Sequence, residues 1–472
     1  MLNDLTEISA CALLSAYQAK NTSPVEVIRA VIKKISAHDR SLNAFRLVDE
    51  SRALSEARKS ENRWHKGKPL GILDGVPISV KDVFSTKHWS TRWGSLLTTN
   101  EGEFNEDAPA VARVREEGAI LIGKTNTSEF HWKTVTDSPL TGITRNPWNL
   151  NLTPGGSCGG AAVAVASGMG PIALGTDGGG SIRVPAAFTG VFGFKPTFGR
   201  VPQFPVGAFG TMAHVGPITR SVEDAALVLN AISKPDIRDW YTLPYENLDY
   251  RENLELDLKG IKIAFSPDLG FVQVGEPVAK VVKNGMKIFS ELGAHVETIN
   301  PGFNCTRDTF EKLGFSAIYQ TLKNFSPEEK KQMDQGLVTI SELGKKVTLT
   351  EYFEANKDRE ALGLLMRKFH EKFDLLVTPT VPVPPFFAGQ DVPVPKSQER
   401  WTEWAPFSYP FNLTRQPAAS VPCGFDADGL PVGLQIVGPL FSDQLVLNAS
   451  RAFELARPFV FPDLGALKAF DN

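Results

Sequence analysis

The chain of 472 residues has only four cysteines, Cys11, Cys158, Cys305 and Cys423, and no two stand close in sequence. That scarcity excludes a disulfide scaffold and a cysteine metal cluster. Its seven histidines, at positions 38, 65, 88, 131, 214, 295 and 370, fall in no metal-ligand spacing, so no metal is expected. No stretch approaches the ~18 uninterrupted apolar residues that would cross a bilayer, so no membrane partner is expected. A net charge of −3 and a pI near 6.2 supply no basic stripe for nucleic acid. The N-terminal segment carries acids where a signal peptide needs bases, which reads as a cytoplasmic chain. Internal repeats and low-complexity tracts are also missing.

What is present is core. Hydrophobic residues make up 42% of the chain and charged residues 22%, the balance of a large globular protein. Glycine is concentrated in one stretch, Thr153 to Gly199. It holds two dense turns, Gly155-Gly156-Ser157-Cys158-Gly159-Gly160 and Gly178-Gly179-Gly180-Ser181. Each turn carries a serine. Between them lie a small-residue helix, Gly160 to Ser167, and a short apolar run, Ile172 to Leu174. Such turns serve as tight packing corners, or they bring backbone N–H groups onto a developing negative charge. In the second case Ser181 stands where a nucleophile and an oxyanion hole coexist.

Upstream, Pro77 to Lys81 reads as a strand ending in a lysine. A strand-end lysine is ordinarily a surface group. Desolvated, it loses proton affinity and becomes a base near neutral pH. Ala108 to Gly118 reads as a helix and Ala119 to Ile122 as a buried strand, followed by a loop at Thr125-Asn126. The segment Gly118 to Thr125 also fits the phosphate-loop pattern Gly-x-x-x-x-Gly-Lys-Thr. That pattern needs a strand before its first glycine and a helix after its lysine, and here the order is reversed, so no nucleotide is expected.

The periodicity predicts helices over Ser9–Lys20, Pro24–Ala37, Glu50–Lys66 and Ser221–Ser233. A strand–helix–strand unit follows at Gly260–Phe265, Pro277–Leu292 and Ala294–Ile299, then a helical region, Thr306 to Lys372. Asp374–Pro379 reads as a strand. The six prolines between Pro379 and Pro395 read as a stiff surface excursion. Trp401, Trp404, Phe407, Tyr409 and Phe411 cluster next, either as core filler or near a pocket. Two late strands, Ala418–Pro422 and Val432–Val437, and a helix, Asp443–Leu455, close the chain.

The glycine-rich stretch resembles the amidase signature family. The matching residues are Gly155-Gly156-Ser157, Gly175-Thr176-Asp177, Gly179-Gly180-Ser181-Ile182-Arg183 and Pro185-Ala186, and the spacing of the two serines also fits. The likeness extends to Lys81 in Gly75–Asp82, to Gly123-Lys124-Thr125-Asn126, to Asn146-Pro147-Trp148, to Phe411-Asn412-Leu413-Thr414, and to Pro431–Gly438. It covers nearly the whole chain. The resemblance implies an α/β fold: one domain over residues 1–472, with a mixed, mainly parallel central sheet covered by helices on both faces. A signature core would span about 70–220 and a helical, substrate-shaping region about 235–415.

The resemblance also implies the chemistry. Ser181 is the expected nucleophile, Ser157 a proton relay preceded by a cis peptide, and Lys81 the base. The N–H groups of Gly178, Gly179 and Gly180, with Ser181, are the expected oxyanion hole. Asp177 and Arg183 are expected to brace the turn. Cys158, where the family often has a second serine, reads as a small buried residue. His131, upstream of the first motif serine, falls on a substrate-lining match and is expected to be a pocket wall, the base being lysine. Arg415 replaces a glycine common in the family, and its role is open.

The expected function is hydrolysis of a small carboxylic amide by a stand-alone enzyme through a serine acyl-enzyme. No cofactor is implied, and a homodimer is left open. Two alternatives stand beside it. One is the amidase subunit of a tRNA-dependent glutamine amidotransferase, against which Gly178 and Val184 stand where that branch usually has Thr and Gln. The other is a non-catalytic ligand-binding relative, against which the intact Lys81, Ser157 and Ser181 argue.

Overall fold

The computed structural model describes residues 4–99 and 105–466. Eleven strands form one mixed sheet. In spatial order they are Phe45–Val48, Ile120–Thr125, Pro77–Lys81, Ile172–Asp177, His214–Thr219, Phe192–Lys195, Ala418–Phe425, Pro431–Val437, Leu375–Pro379, Lys262–Phe265 and His295–Thr298. Parallel pairs lie toward the two flanks. Pro77–Lys81 runs parallel to both its neighbours, and so does Lys262–Phe265. The ladders from Ile172–Asp177 across to Leu375–Pro379 are antiparallel. The sheet is thus mixed as expected, with its parallel share confined to the flanks and antiparallel ladders in the majority.

The alternation of side chains along Ile172–Asp177 shows why helices must cover both faces. Ile172 and Leu174 enter a core shared with the helices Val222–Ile232, Glu276–Glu291 and Asp443–Ala456. Ala173 points the other way, onto Ala161, Ala162 and Val165 of the helix Gly159–Ala166. That helix is built from glycine, alanine and valine, which lets it lie close to its neighbours. A Cβ at Gly160 would stand 2.4 Å from the Ala44 carbonyl oxygen and 2.5 Å from the Asn126 nitrogen.

The helix starts follow their caps. Ser23 accepts from the Glu26 N–H and Glu26 reaches back to the Ser23 N–H, with Pro24 opening the helix. Ser221 accepts from the Asp224 N–H at the start of Val222–Ile232. The strand–helix–strand unit is present as Lys262–Phe265, Glu276–Glu291 and a parallel His295–Thr298.

Two readings change. The strand expected to end at Ile122 runs on through Thr125. Lys124 within it is fully buried, and Nζ donates to the Phe84 carbonyl and to Thr91 Oγ1, both at 2.6 Å, beside Asp82. The helix-then-strand order expected at Gly118–Thr125 is what the fold contains. The proline-rich segment is no mere surface excursion. Phe386 and Val392 are buried, and the Phe386 ring packs edge-on against Trp404 at 5.1 Å. The apolar residues between the prolines had a core to enter, and stiffness did not keep them out.

Candidate active site

Three elements converge on one point. The strand Pro77–Lys81 ends in Lys81, whose side chain is fully buried. The first glycine turn delivers Ser157 just ahead of its helix, after a cis Gly156–Ser157 peptide. The second turn delivers Ser181 just after the strand Ile172–Asp177. Lys81 Nζ lies 2.7 Å from Ser157 Oγ, and Ser157 Oγ lies 2.9 Å from Ser181 Oγ. Residues 76 and 24 positions apart thus form one continuous line of hydrogen-bonding atoms.

The line ends in a cavity of about 260 Å³. Ser181, Gly178 and Gly179 form part of its wall, and Trp93, Phe130, Phe310 and Trp401 make much of the rest apolar. The turn and the aromatic wall approach closely. A Cβ at Gly179 would stand 2.7 Å from Trp401 and 2.9 Å from Phe310.

Electrostatics separates the groups. Burial pushes the Lys81 ammonium below the ordinary lysine value. Thr176 Oγ1 accepts from Lys81 Nζ at 2.9 Å, a contact no sequence signal announced beyond its place in the motif. Burial likewise pushes the Cys158 thiol up, and Cys158 Sγ donates to the Thr176 carbonyl at 3.1 Å. Cys158 is therefore a packed, protonated neighbour of the line, as expected.

Asp177 and Arg183 are both fully buried and joined through two bonds. Arg183 Nη2 donates to Oδ1 at 2.8 Å and Nε to Oδ2 at 3.0 Å. Burial alone would raise the Asp177 carboxyl. Arg183, with Lys195 and Asn412, brings it well below the usual carboxylate range. Arg183 Nη1 also donates to the Ser408 carbonyl at 2.9 Å and to Gln435 Oε1 at 2.7 Å, and Asn412 Nδ2 donates to Asp177 Oδ1 at 2.9 Å. The structure thus adds Ser408, Asn412 and Gln435 to the expected brace. Asn412 and Gln435 lie in motifs that match the family, yet nothing local to them predicts partners 229 and 252 positions away.

One expected donor already has a partner. The Gly180 N–H is already given to Asp177 Oδ1, at 2.8 Å. That bond holds it inside the turn. The N–H groups of Gly178, Gly179 and Ser181 have no acceptor among the described residues.

His131 lies on the cavity wall, between the rings of Trp93 and Phe209. Burial first, and then the charge of Lys81, lower its pKa to about 3, so it is neutral at any ordinary working pH. Lys133 also reaches the wall. Its Nζ is ringed by Asp137 at 2.7 Å, Asp334 at 2.8 Å and Asp391 at 2.6 Å. The two tryptophans part company. Trp401 lines the cavity, whereas Trp404 is core, stacked on Phe188 at 5.9 Å with Nε1 donating to the Asp391 carbonyl. Arg415 lies outside the cavity, with its guanidinium 5.9 Å from the Phe198 ring. Among the described residues no group of His, Cys, Asp and Glu is arranged to hold a metal.

The model of the amidase family matches residues 26–447. The chain belongs to this family. The enzyme is therefore a hydrolase of carbon–nitrogen bonds other than peptide bonds. It is 34% identical to an acylamidase of Rhodococcus erythropolis over 461 residues, 96% of each chain. It is 35% identical to the A-subunit of the glutamyl-tRNA(Gln) amidotransferase of Geobacillus sp. strain WCH70, over 95% of this chain and 96% of that one. A solved bacterial aryl acylamidase of the amidase signature family superposes with a TM-score of 0.89 at 32% identity, over 96% of both chains. No helix among the described residues is long and apolar enough to cross a membrane.

Proposed function

We propose that the enzyme hydrolyses a small carboxylic amide on its own, through an acyl-enzyme on Ser181. The observation that carries this reading is the Lys81–Ser157–Ser181 line, with steps of 2.7 and 2.9 Å, ending at the cavity wall. Ser181 Oγ attacks the amide carbonyl carbon. Its proton passes to Ser157 Oγ, and the Ser157 proton passes to Lys81 Nζ. A hydroxyl is a weak nucleophile until a neighbour takes its proton, and lysine fills that place when it enters neutral. Burial favours the neutral amine. Thr176 Oγ1 occupies one Nζ–H, which leaves the nitrogen lone pair free to turn toward Ser157.

The carbonyl oxygen gains the negative charge. The free N–H groups of Gly178, Gly179 and Ser181 are the donors that would receive it, with Asp177 and Arg183 holding the turn. One such donor typically contributes about 3 kcal/mol to transition-state stabilisation. The Lys81 proton returns through Ser157 to the leaving nitrogen as the C–N bond breaks. Water then attacks the ester by the same route, releasing acid and regenerating Ser181.

The aromatic walls suit an apolar or aryl acyl or amine group better than the charged ends of glutamine. That, with the acylamidase relatives, supports a stand-alone amidase over an amidotransferase subunit. The test is labelling with a sulfonyl fluoride, and turnover by the purified chain alone on a panel of aliphatic and aryl amides plus glutamine. The expected result is one adduct on Ser181, none on Ser181→Ala, and hydrolysis of aryl amides without a partner. An adduct retained by Ser181→Ala would assign the nucleophile elsewhere. Turnover of glutamine alone would favour the amidotransferase reading.

A further inference from the structure

A depression of about 330 Å³ lies between the helix Leu349–Phe369 and the segment Leu413–Arg415. It shares no lining residue with the catalytic cavity. Arg359, Gly363 and Arg367 recur every four residues along the helix and so face it together. Arg415 enters from the other wall.

Three guanidinium groups share one depression, and an anion among them would relieve their mutual repulsion. Among the described residues none of the three pairs with a carboxylate, including Glu360, the one acid in the lining. Arg359 is half-buried and fixed in place. Nε donates to the Leu413 carbonyl at 2.7 Å and Nη2 to the Thr211 carbonyl at 3.1 Å, which leaves Nη1 unused. Burial, and then the charge of Arg415, bring the Arg359 pKa down to about 10, the direction expected of a cation short of a counter-ion. Thr414 lines the depression with its side chain buried and its hydroxyl unpartnered. Gly363 keeps the floor open, since a Cβ there would meet nothing within 4 Å.

We propose that this depression is a second binding site, for a small oxyanion of the phosphate class held by Arg359, Arg367 and Arg415. Arginine presents a planar fork that matches phosphate oxygens two at a time. The charges also match. Three arginines and Glu360 leave two positive charges uncompensated, and a phosphate group near neutral pH carries about −1.5 to −2. A monocarboxylate or chloride would leave the site positive. Thr414 supplies a further hydroxyl donor.

Calorimetry on the full chain tests the site, with inorganic phosphate and glycerol 3-phosphate as probes and acetate and potassium chloride at matched ionic strength as controls. Phosphate is expected to bind and the controls not. Arg367→Gln and Arg415→Gln are each expected to weaken binding about tenfold, the worth of one charged hydrogen bond. Gly363→Leu, which fills the floor and suits a helix, is expected to abolish it. All three variants should keep their melting temperature and their amide turnover. Equal binding of both probes assigns the site to the phosphate group itself, and binding of inorganic phosphate alone assigns it to the free ion. No phosphate binding above acetate, or full affinity in the Arg367→Gln/Arg415→Gln double variant, overturns the proposal.

Discussion

Lys81 and Lys133 are both buried beside the same cavity, and burial opposes the charge of each. Around Lys133 three carboxylates overcome that penalty and hold the ammonium well above the ordinary lysine value. Around Lys81 stand the hydroxyls of Ser157 and Thr176 and the thiol of Cys158, and the nearest acid of the brace, Asp177, is committed to Arg183. Its affinity for a proton falls instead. The pair shows how one fold shifts the proton affinity of one residue type in opposite directions, a structural cation at Lys133 and, in the mechanism proposed above, a base at Lys81. The difference lies in which counter-ions are admitted. Asp177 acts on Lys81 only through its charge, while its oxygens are bonded to Arg183.

The sharpest way to break the comparison is to give Lys81 a permanent charge. Lys81→Arg keeps a cation in the line but cannot accept the serine proton at any working pH. It is expected to lose at least the ~10²–10⁴-fold that removal of a general base typically brings, and to be no better than Lys81→Ala. Single-turnover acylation rates check this, and substantial turnover by the arginine variant would take Lys81 out of the base role.

A milder break places a carboxylate where Lys133 has three. Thr176→Asp puts an acid at the atom that now accepts from Lys81 Nζ at 2.9 Å. The added negative charge stabilises the ammonium and raises its pKa. The proposed mechanism needs the neutral amine, so the acid limb of the kcat/KM profile should move to higher pH, with a loss of about tenfold per unit of movement below the limb. An unmoved limb would mean that some other group sets it.

The two lysines should also move stability in opposite directions. Lys81 has a folded pKa below its unfolded value of about 10.4. The unfolded chain binds the proton more readily, so the group costs stability as pH falls from there toward the folded pKa. Lys81→Met is expected to raise the melting temperature at pH 7, with the gain shrinking as pH nears 10. Lys133 has a raised folded pKa, so its contribution is complete below about pH 10.4 and is lost only as pH rises through the folded value. Lys133→Met would strand three carboxylates and should lower stability by about 3 kcal/mol. Urea melts of both variants at pH 7 decide the matter, and a shift of the same sign in both would refute the counter-ion account.

Much of this arrangement is legible along the chain because glycine marks it. The turns before Ser157 and Ser181, the strand ending at Lys81 and the small-residue helix between the turns all follow from local composition, and the family resemblance joins them. What is not legible is what each polar group already holds. The Gly180 N–H reads from sequence like its neighbours, but Asp177 takes it. Lys124 reads as lying past the end of its strand, because no local pattern shows that Phe84 and Thr91 will receive its ammonium. The brace ties Arg183 to Ser408, Asn412 and Gln435, which lie 225, 229 and 252 positions further along. Periodicity carries no information at that range.

The smallest expected effect belongs to His131, and it separates wall from base. The imidazole sits between Trp93 and Phe209 on the cavity wall, with a pKa near 3 from burial and from the charge of Lys81. A base of that strength holds almost no proton at pH 7 and has little tendency to take one. His131→Ala is therefore expected to enlarge the cavity and change which amides fit. Hydrophobic pocket changes of this size typically discriminate by about 10–200-fold. Relative kcat/KM should shift toward bulky amides while the best substrate stays within about tenfold of wild type. The pH profile should keep both limbs, because the group removed does not titrate there. Measuring one small and one bulky amide across pH 5–9 is sufficient. A uniform collapse on both, with the acid limb gone, would make His131 part of the proton path, and the contrast between the two lysines would no longer account for the chemistry alone.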